Sequence, residues 1–160
     1  MTRYFSRRVV RRIRDPRGAT LVEAAIITPL LLLLTFSIVD FASLFYVYLA
    51  LENGVSQATR YAVTGSVVSG MTREESIMAA MRSATPTLTI DDAMFTFSHL
   101  PPGSPPGTAW SAGSGIENDV GRVTIDYPWT LMTPLIRPFF TGGQINVRVE
   151  SAMKNERRFD

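Results

Sequence analysis

The sequence predicts an α+β fold: a long N-terminal helix that crosses a membrane, continues outside it, and packs there on a small antiparallel sheet. Three observations predict it. Sixteen uncharged, mostly apolar residues lie between Glu23 and Asp40. Apolar residues then recur at helical spacing from Leu44 to Ala62. Farther on, three segments alternate apolar and polar residues with period two, as strands buried on one face do.

The first element is a basic arm. Residues 1–17 hold seven arginines (Arg3, Arg7, Arg8, Arg11, Arg12, Arg14 and Arg17) against one acid, Asp15. Residues 52–160 hold nine basic and eleven acidic side chains. The sequence pI of 9.3 therefore describes the arm and not the domain, and it does not argue for a nucleic-acid partner. With no cysteine in the chain, disulfides, thiolate catalysis and cysteine metal sites are excluded.

The uncharged run measures about 24 Å as a helix, and a bilayer core of about 30 Å needs about 20 residues. The span must therefore reach past its flanking acids, from Ala19 to near Phe41, with Glu23 and Asp40 near the two interfaces. Phe41, Phe45, Tyr46 and Tyr48 then form an aromatic belt. Arg11, Arg12, Arg14 and Arg17 flank the other end, and the positive-inside rule places that end in the cytoplasm. A cleaved secretory signal shares the basic start. It would have a shorter apolar core followed by small residues, where this chain has Asp40 and bulky aromatics. A mitochondrial transit peptide does not fit the apolar span that follows. Pro29 removes a backbone hydrogen bond and crowds the Ala25 carbonyl, so a kink is expected there.

Beyond the span, Leu44, Val47, Tyr48, Leu51, Val55, Ala58 and Ala62 form an apolar stripe. The helix should end near Gly65, about 45 residues long, with the stripe covered by another element. Thr72 and Glu75 make a capping box ahead of a second helix over 73–84, stopped by Pro86. Its face is Ile77, Met78 and Met81, and its methionines read as packing residues rather than metal ligands.

The strands centre on Phe95 and Phe97, on Val123, Ile125, Tyr127 and Trp129, and on Ile145, Val147 and Val149. Pro128 marks an edge position or a strand end. One apolar face needs a cover, and the stripe of the long helix is the natural one. The Pro/Gly-rich stretch 101–118 reads as a surface loop without fixed contacts; the alternative is a contact loop built on Trp110. In "TPLIRPFFTGG", residues 133–143, the apolar Leu135, Ile136, Phe139 and Phe140 either fill the end of the core or touch lipid or a neighbouring subunit.

The inventory for catalysis is thin. His99 is the only histidine, so a Ser-His-Asp arrangement would depend on it, and a multi-histidine metal site is excluded. Asp91–Asp92 and Glu117–Asp119 lack calcium-loop spacing and read as acidic turns. No glycine-rich phosphate loop follows a strand. No enzyme activity, cofactor, metal or small-molecule substrate is expected.

Gly18 and Glu23 remain. Thr20 and Glu23 have capping-box spacing, and a carboxylate at a helix N-terminus meets the positive end of the dipole. That reading leaves Gly18 unexplained. A basic leader, a glycine, a glutamate five residues on and an apolar helix together resemble the type IV pilin leader. More narrowly, "RGATLVEAAIITPLLLLLTFSIVDFASLFYVYLALENGVSQATRYAV" resembles the N-terminal region of the TadE-like proteins, the pilin-like components of tight-adherence (Flp pilus) systems. "VRVESAMKNE" resembles the closing segment of that family.

The resemblance implies a pilin-like fold in three parts. Residues 1–18 would be a cytoplasmic leader, 19–64 a transmembrane and extended helix, and 65–160 an outer α+β domain. It implies that a prepilin peptidase cuts between Gly18 and Ala19, and that Glu23 pairs with the new amine of a neighbouring subunit. It further implies a single-pass inner-membrane protein with its domain outside the cytoplasm, a minor pilin or pseudopilin meeting other pilin-like and pilus-assembly subunits. Ala19 stands where many type IV pilins have phenylalanine, a departure from the classical pilins though not from the tight-adherence group. The alternative is an uncleaved single-span anchor whose outer domain binds a protein partner.

Overall fold

The computed structural model describes residues 16–134 and 136–156. Helix α1 runs from Pro16 to Val63 and continues through Pro29. Proline is well suited to the first turn, where its missing N–H would have had no partner. The Thr20–Glu23 capping-box reading is thereby overturned: the helix begins four residues before Thr20, and both residues lie inside it.

Helix α2, Arg73–Ala84, has the expected box. Glu75 N–H donates to Thr72 Oγ1 at 3.2 Å, and Thr72 N–H donates to Glu75 Oε2 at 2.6 Å. Hydrogen bonds from the Thr72 backbone, and then from its side chain, hold the Glu75 carboxyl below the ordinary glutamate value. Ile77 and Met81 are fully buried.

Strands β1 (Phe95–Leu100), β2 (Ser111–Ala112), β3 (Val120–Thr130) and β4 (Gln144–Lys154) form one antiparallel sheet in the order β2-β1-β3-β4. The fourth strand was not expected. Ser111 and Ala112 lie within the Pro/Gly-rich stretch and pair with His99 and Ser98. Pro128 sits beyond Ile125, the last β3 residue paired with β1, so β3 has a neighbour on one side only at that point. A residue without an N–H is tolerated at such a local edge.

The outer half of α1 and helix α2 cover one face of the sheet. Val47, Leu51, Val55, Ala58 and Ala62 of α1 meet Val123, Ile125, Trp129, Val147 and Val149 in one buried cluster, with Leu44 packed at its margin. Tyr48 departs from the expected stripe: it is exposed and its hydroxyl donates to Glu52 Oε1. Thr59 joins the core because its hydroxyl donates back to the Val55 carbonyl, leaving a satisfied group to bury.

The sheet lies lengthwise along α1. At one end Glu156 N–H donates to the Val63 carbonyl. At the other, the connection after β3 meets Asp40. Strand β3 thus runs back along the helix towards its apolar half, and β4 returns.

Candidate functional site

The residues singled out in the sequence are spread along α1 rather than gathered in a cleft. Arg11, Arg12 and Arg14 lie outside the described residues, and Arg17 is in the first turn of the helix. The Gly18–Ala19 bond lies in that same turn. A Cβ at Gly18 would meet nothing within 4 Å. Glu23 is exposed one turn above Ala19, and among the described residues it forms no ion pair. Residues four apart share a helix face, so Ala19 and Glu23 are neighbours there.

From Leu21 to Val39 the large apolar side chains are exposed on all sides; Leu30, for example, is 64% exposed. This is one helix long and apolar enough to cross a membrane. Two of its hydroxyls are satisfied within the helix. Thr35 donates to the Leu31 carbonyl at 2.8 Å and Ser37 to the Leu33 carbonyl at 2.7 Å. Neither would bring an unpaired donor into hydrocarbon.

Such a surface, beginning at a glycine with a single acid near its foot, is what the comparison with known proteins picks out. Residues 18–60 match the TadE-like protein family. The TadE-like segment ends three residues short of α1, and it suggests a component of tight-adherence pilus assembly. The match does not extend to residues 144–156. No curated protein and no solved structure matches the chain.

Within the TadE-like segment, Asp40 holds a position that its sequence did not disclose. It is 5% exposed. Its Oδ1 accepts from Met132 N–H at 2.9 Å and Thr133 N–H at 3.2 Å, and its Oδ2 from Thr133 N–H at 3.3 Å. The carboxylate therefore fastens the β3–β4 connection to the helix across 92 positions of chain. One signal was available: Asp40 continues the buried stripe downward, four residues before Leu44 and seven before Val47. Phe41 and Tyr46 are exposed, and the Tyr46 hydroxyl shares a hydrogen bond of 2.9 Å with Thr87 Oγ1.

At the far end of the sheet, polar residues serve the fold. Asn155, buried, donates from Nδ2 to the Ile116 and Ser114 carbonyls. Asp119, also buried, accepts from Ile116 N–H and lies 3.9 Å from His99 Nε2. Asp92 pairs with Arg82. The acidic turns are thus tied into local structure, and among the described residues no group of three or more His, Asp or Glu could hold a metal ion. Trp110 makes the contact that the loop reading disfavoured. The Arg122 guanidinium lies 4.0 Å from its ring centroid while donating to Ser98 Oγ and pairing with Glu150.

Proposed function

We propose that this protein is a minor pilin or pseudopilin of a tight-adherence pilus system, anchored by α1 with residues 1–17 in the cytoplasm and the sheet outside. A prepilin peptidase removes residues 1–18, and Glu23 pairs with the Ala19 amine of a neighbouring subunit. The observation that carries this is the exposed apolar half of α1, which lies within the TadE-like match over residues 18–60. Inclusion of Thr20 and Glu23 within the helix supports it, because helix capping no longer accounts for the glutamate. An unpaired carboxylate in a low-dielectric layer is costly, and the amine of a neighbouring subunit brought to the same depth is a suitable partner.

The test is the intact mass of the protein from membranes of its own host. Loss of residues 1–18, with Ala19 at the N-terminus, is expected, and Gly18→Leu should restore the full-length mass. Glu23→Ala should insert normally yet yield fewer pili. A full-length mass for the unaltered protein would instead favour an uncleaved anchor whose domain binds a protein partner.

A further inference from the structure

The β3–β4 connection, residues 131–143, has a composition and a hydrogen-bond pattern that the pilin reading does not use. Between Asp126 and Glu150 the chain has no acid and only two charges, Arg137 and Arg148. Met132 and Phe139 are exposed, Phe139 by 79%, and Phe140 is partly so. Yet most of the described backbone N–H groups of this irregular segment are bonded. Leu131 N–H donates to the Gly143 carbonyl, and Gly143 N–H to that of Phe140. The Ile136 and Arg137 N–H groups both donate to the Thr133 carbonyl. Phe139 N–H donates to that of Ile136, and Phe140 N–H to that of Arg137. Met132 and Thr133 donate to Asp40. Pro134 and Pro138 have no N–H to satisfy. Arg137 Nε donates to the Leu131 carbonyl at 2.7 Å while the residue stays exposed, so its charge can reach towards the headgroups. Exposed apolar side chains over a backbone in which eight of the ten described N–H groups are bonded, all but those of Thr141 and Gly142, suit the margin of a bilayer, where lipid and water are both within reach.

Position and length agree. The uncharged run before Asp40 is about 6 Å short of a bilayer core. Asp40 is buried and hydrogen-bonded, so the apolar surface can continue past it through Phe41 and Phe45, both exposed. A span drawn from Glu23 to Phe45 is about 34 Å long. Asp40 then lies below the surface of the bilayer, and so does the segment it fastens. Met132, Thr133 and Pro134 form one wall of a groove whose other wall is the span itself, at Pro29, Leu32 and Phe36.

We propose that residues 131–134 and 136–143 are a second membrane contact, embedded in the leaflet nearer the sheet, with lipid acyl chains in the groove against α1. Asp40 is the intramembrane tether that holds the segment there, so the domain lies against the bilayer at a set height instead of swinging on its helix. This rests on the reading of α1 as a membrane span.

The cysteine-free chain allows nitroxides to be placed one at a time, by Met132→Cys, Phe139→Cys, Leu31→Cys and Val68→Cys, in the full chain in phosphatidylethanolamine–phosphatidylglycerol vesicles. All four positions are exposed, so labelling does not disturb the core. Labels at 132 and 139 should collide with oxygen in preference to a water-soluble nickel chelate, as at 31, whereas the preference at 68 should be reversed. If 132 and 139 behave like 68 while 31 stays in lipid, the segment is in water, and the proposal fails with the span intact. Water access at 31 as well would remove the span and the proposal together. Shielding of 132 and 139 from both reagents would put a second protein surface in place of lipid and overturn the assignment.

Discussion

The two halves of α1 are made of similar residues and meet opposite surroundings. In the lower half Leu21, Leu30 and Leu31 are exposed; in the upper half Leu51 and Val55 are completely buried. The lower half is apolar around its whole circumference, and the upper half carries one apolar stripe with Glu52, Asn53, Ser56 and Arg60 beside it. The difference teaches what each half packs against. A helix covered by a sheet needs a single apolar face, whereas a helix apolar on all sides needs an apolar solvent or a ring of like helices. Asp40 stands at the changeover.

Leu51→Ala should sharpen the contrast most. Removing a fully buried leucine costs about 2–5 kcal/mol, while Leu31→Ala at an exposed position should leave the unfolding of the sheet domain within about 0.5 kcal/mol. Denaturant unfolding of the two variants in detergent compares them, and equal losses would mean that the upper half is not held by the sheet. Asp40→Ala comes next. It leaves the buried Thr133 N–H and the part-buried Met132 N–H without their charged acceptor, a loss of about 1.5–3 kcal/mol. Amide exchange at Met132 and Thr133 should accelerate; unchanged exchange would deny Asp40 its role as a tether.

Glycines give the third contrast. A Cβ at Gly54 would lie 2.5 Å from Thr85 Cγ2 and 3.2 Å from Met81 Cε, so Gly54→Ala must push α2 away from α1. Overpacking costs about 1–3 kcal/mol, and better helix propensity returns up to about 1 kcal/mol. A net loss is expected, whereas Gly18→Ala, in open space, should not move the same transition. A more stable Gly54→Ala protein would show that the two helices have slack between them.

The smallest effect belongs to Glu75. Its folded pKa is depressed, so its contribution is present above the unfolded value, about 4.3, and is lost as pH falls through the folded one. Glu75→Gln should melt slightly lower near neutrality, where the carboxylate contributes, and show a flatter acid limb, the two proteins converging at low pH. An unaltered acid limb would remove the carboxylate from the cap.

Much of this architecture was legible because its determinants are local. The Thr72–Glu75 box and the whole of α2 depend on residues within a turn of one another. Period-two alternation exposed β1, β3 and β4 for the same reason. What stayed hidden depends on distant partners. Strand β2 is two residues long and exists only because Ser98 and His99 lie opposite it. Asp40 was placed at a membrane interface by its charge, yet its hydrogen bonds come from Met132 and Thr133. Tyr48 passed as a stripe residue because it falls four after Leu44, although its side chain bonds to Glu52 instead of entering the core. The Gly18 and Glu23 pattern was legible only as a resemblance, since among the described residues neither forms the tertiary contacts by which a fold discloses a role.

The stacking of Arg122 on Trp110 divides the Pro/Gly-rich stretch into two parts. From residue 110 onward the chain is strapped across three strands. Before it, residues 101–108 close only their own turns, through Ser104 to the Pro101 carbonyl and Thr108 to the Pro105 carbonyl. The first part is therefore a usable splice point. A short epitope inserted after Gly103 would project from the sheet without loosening it, and would give a handle for following the intact protein on living cells.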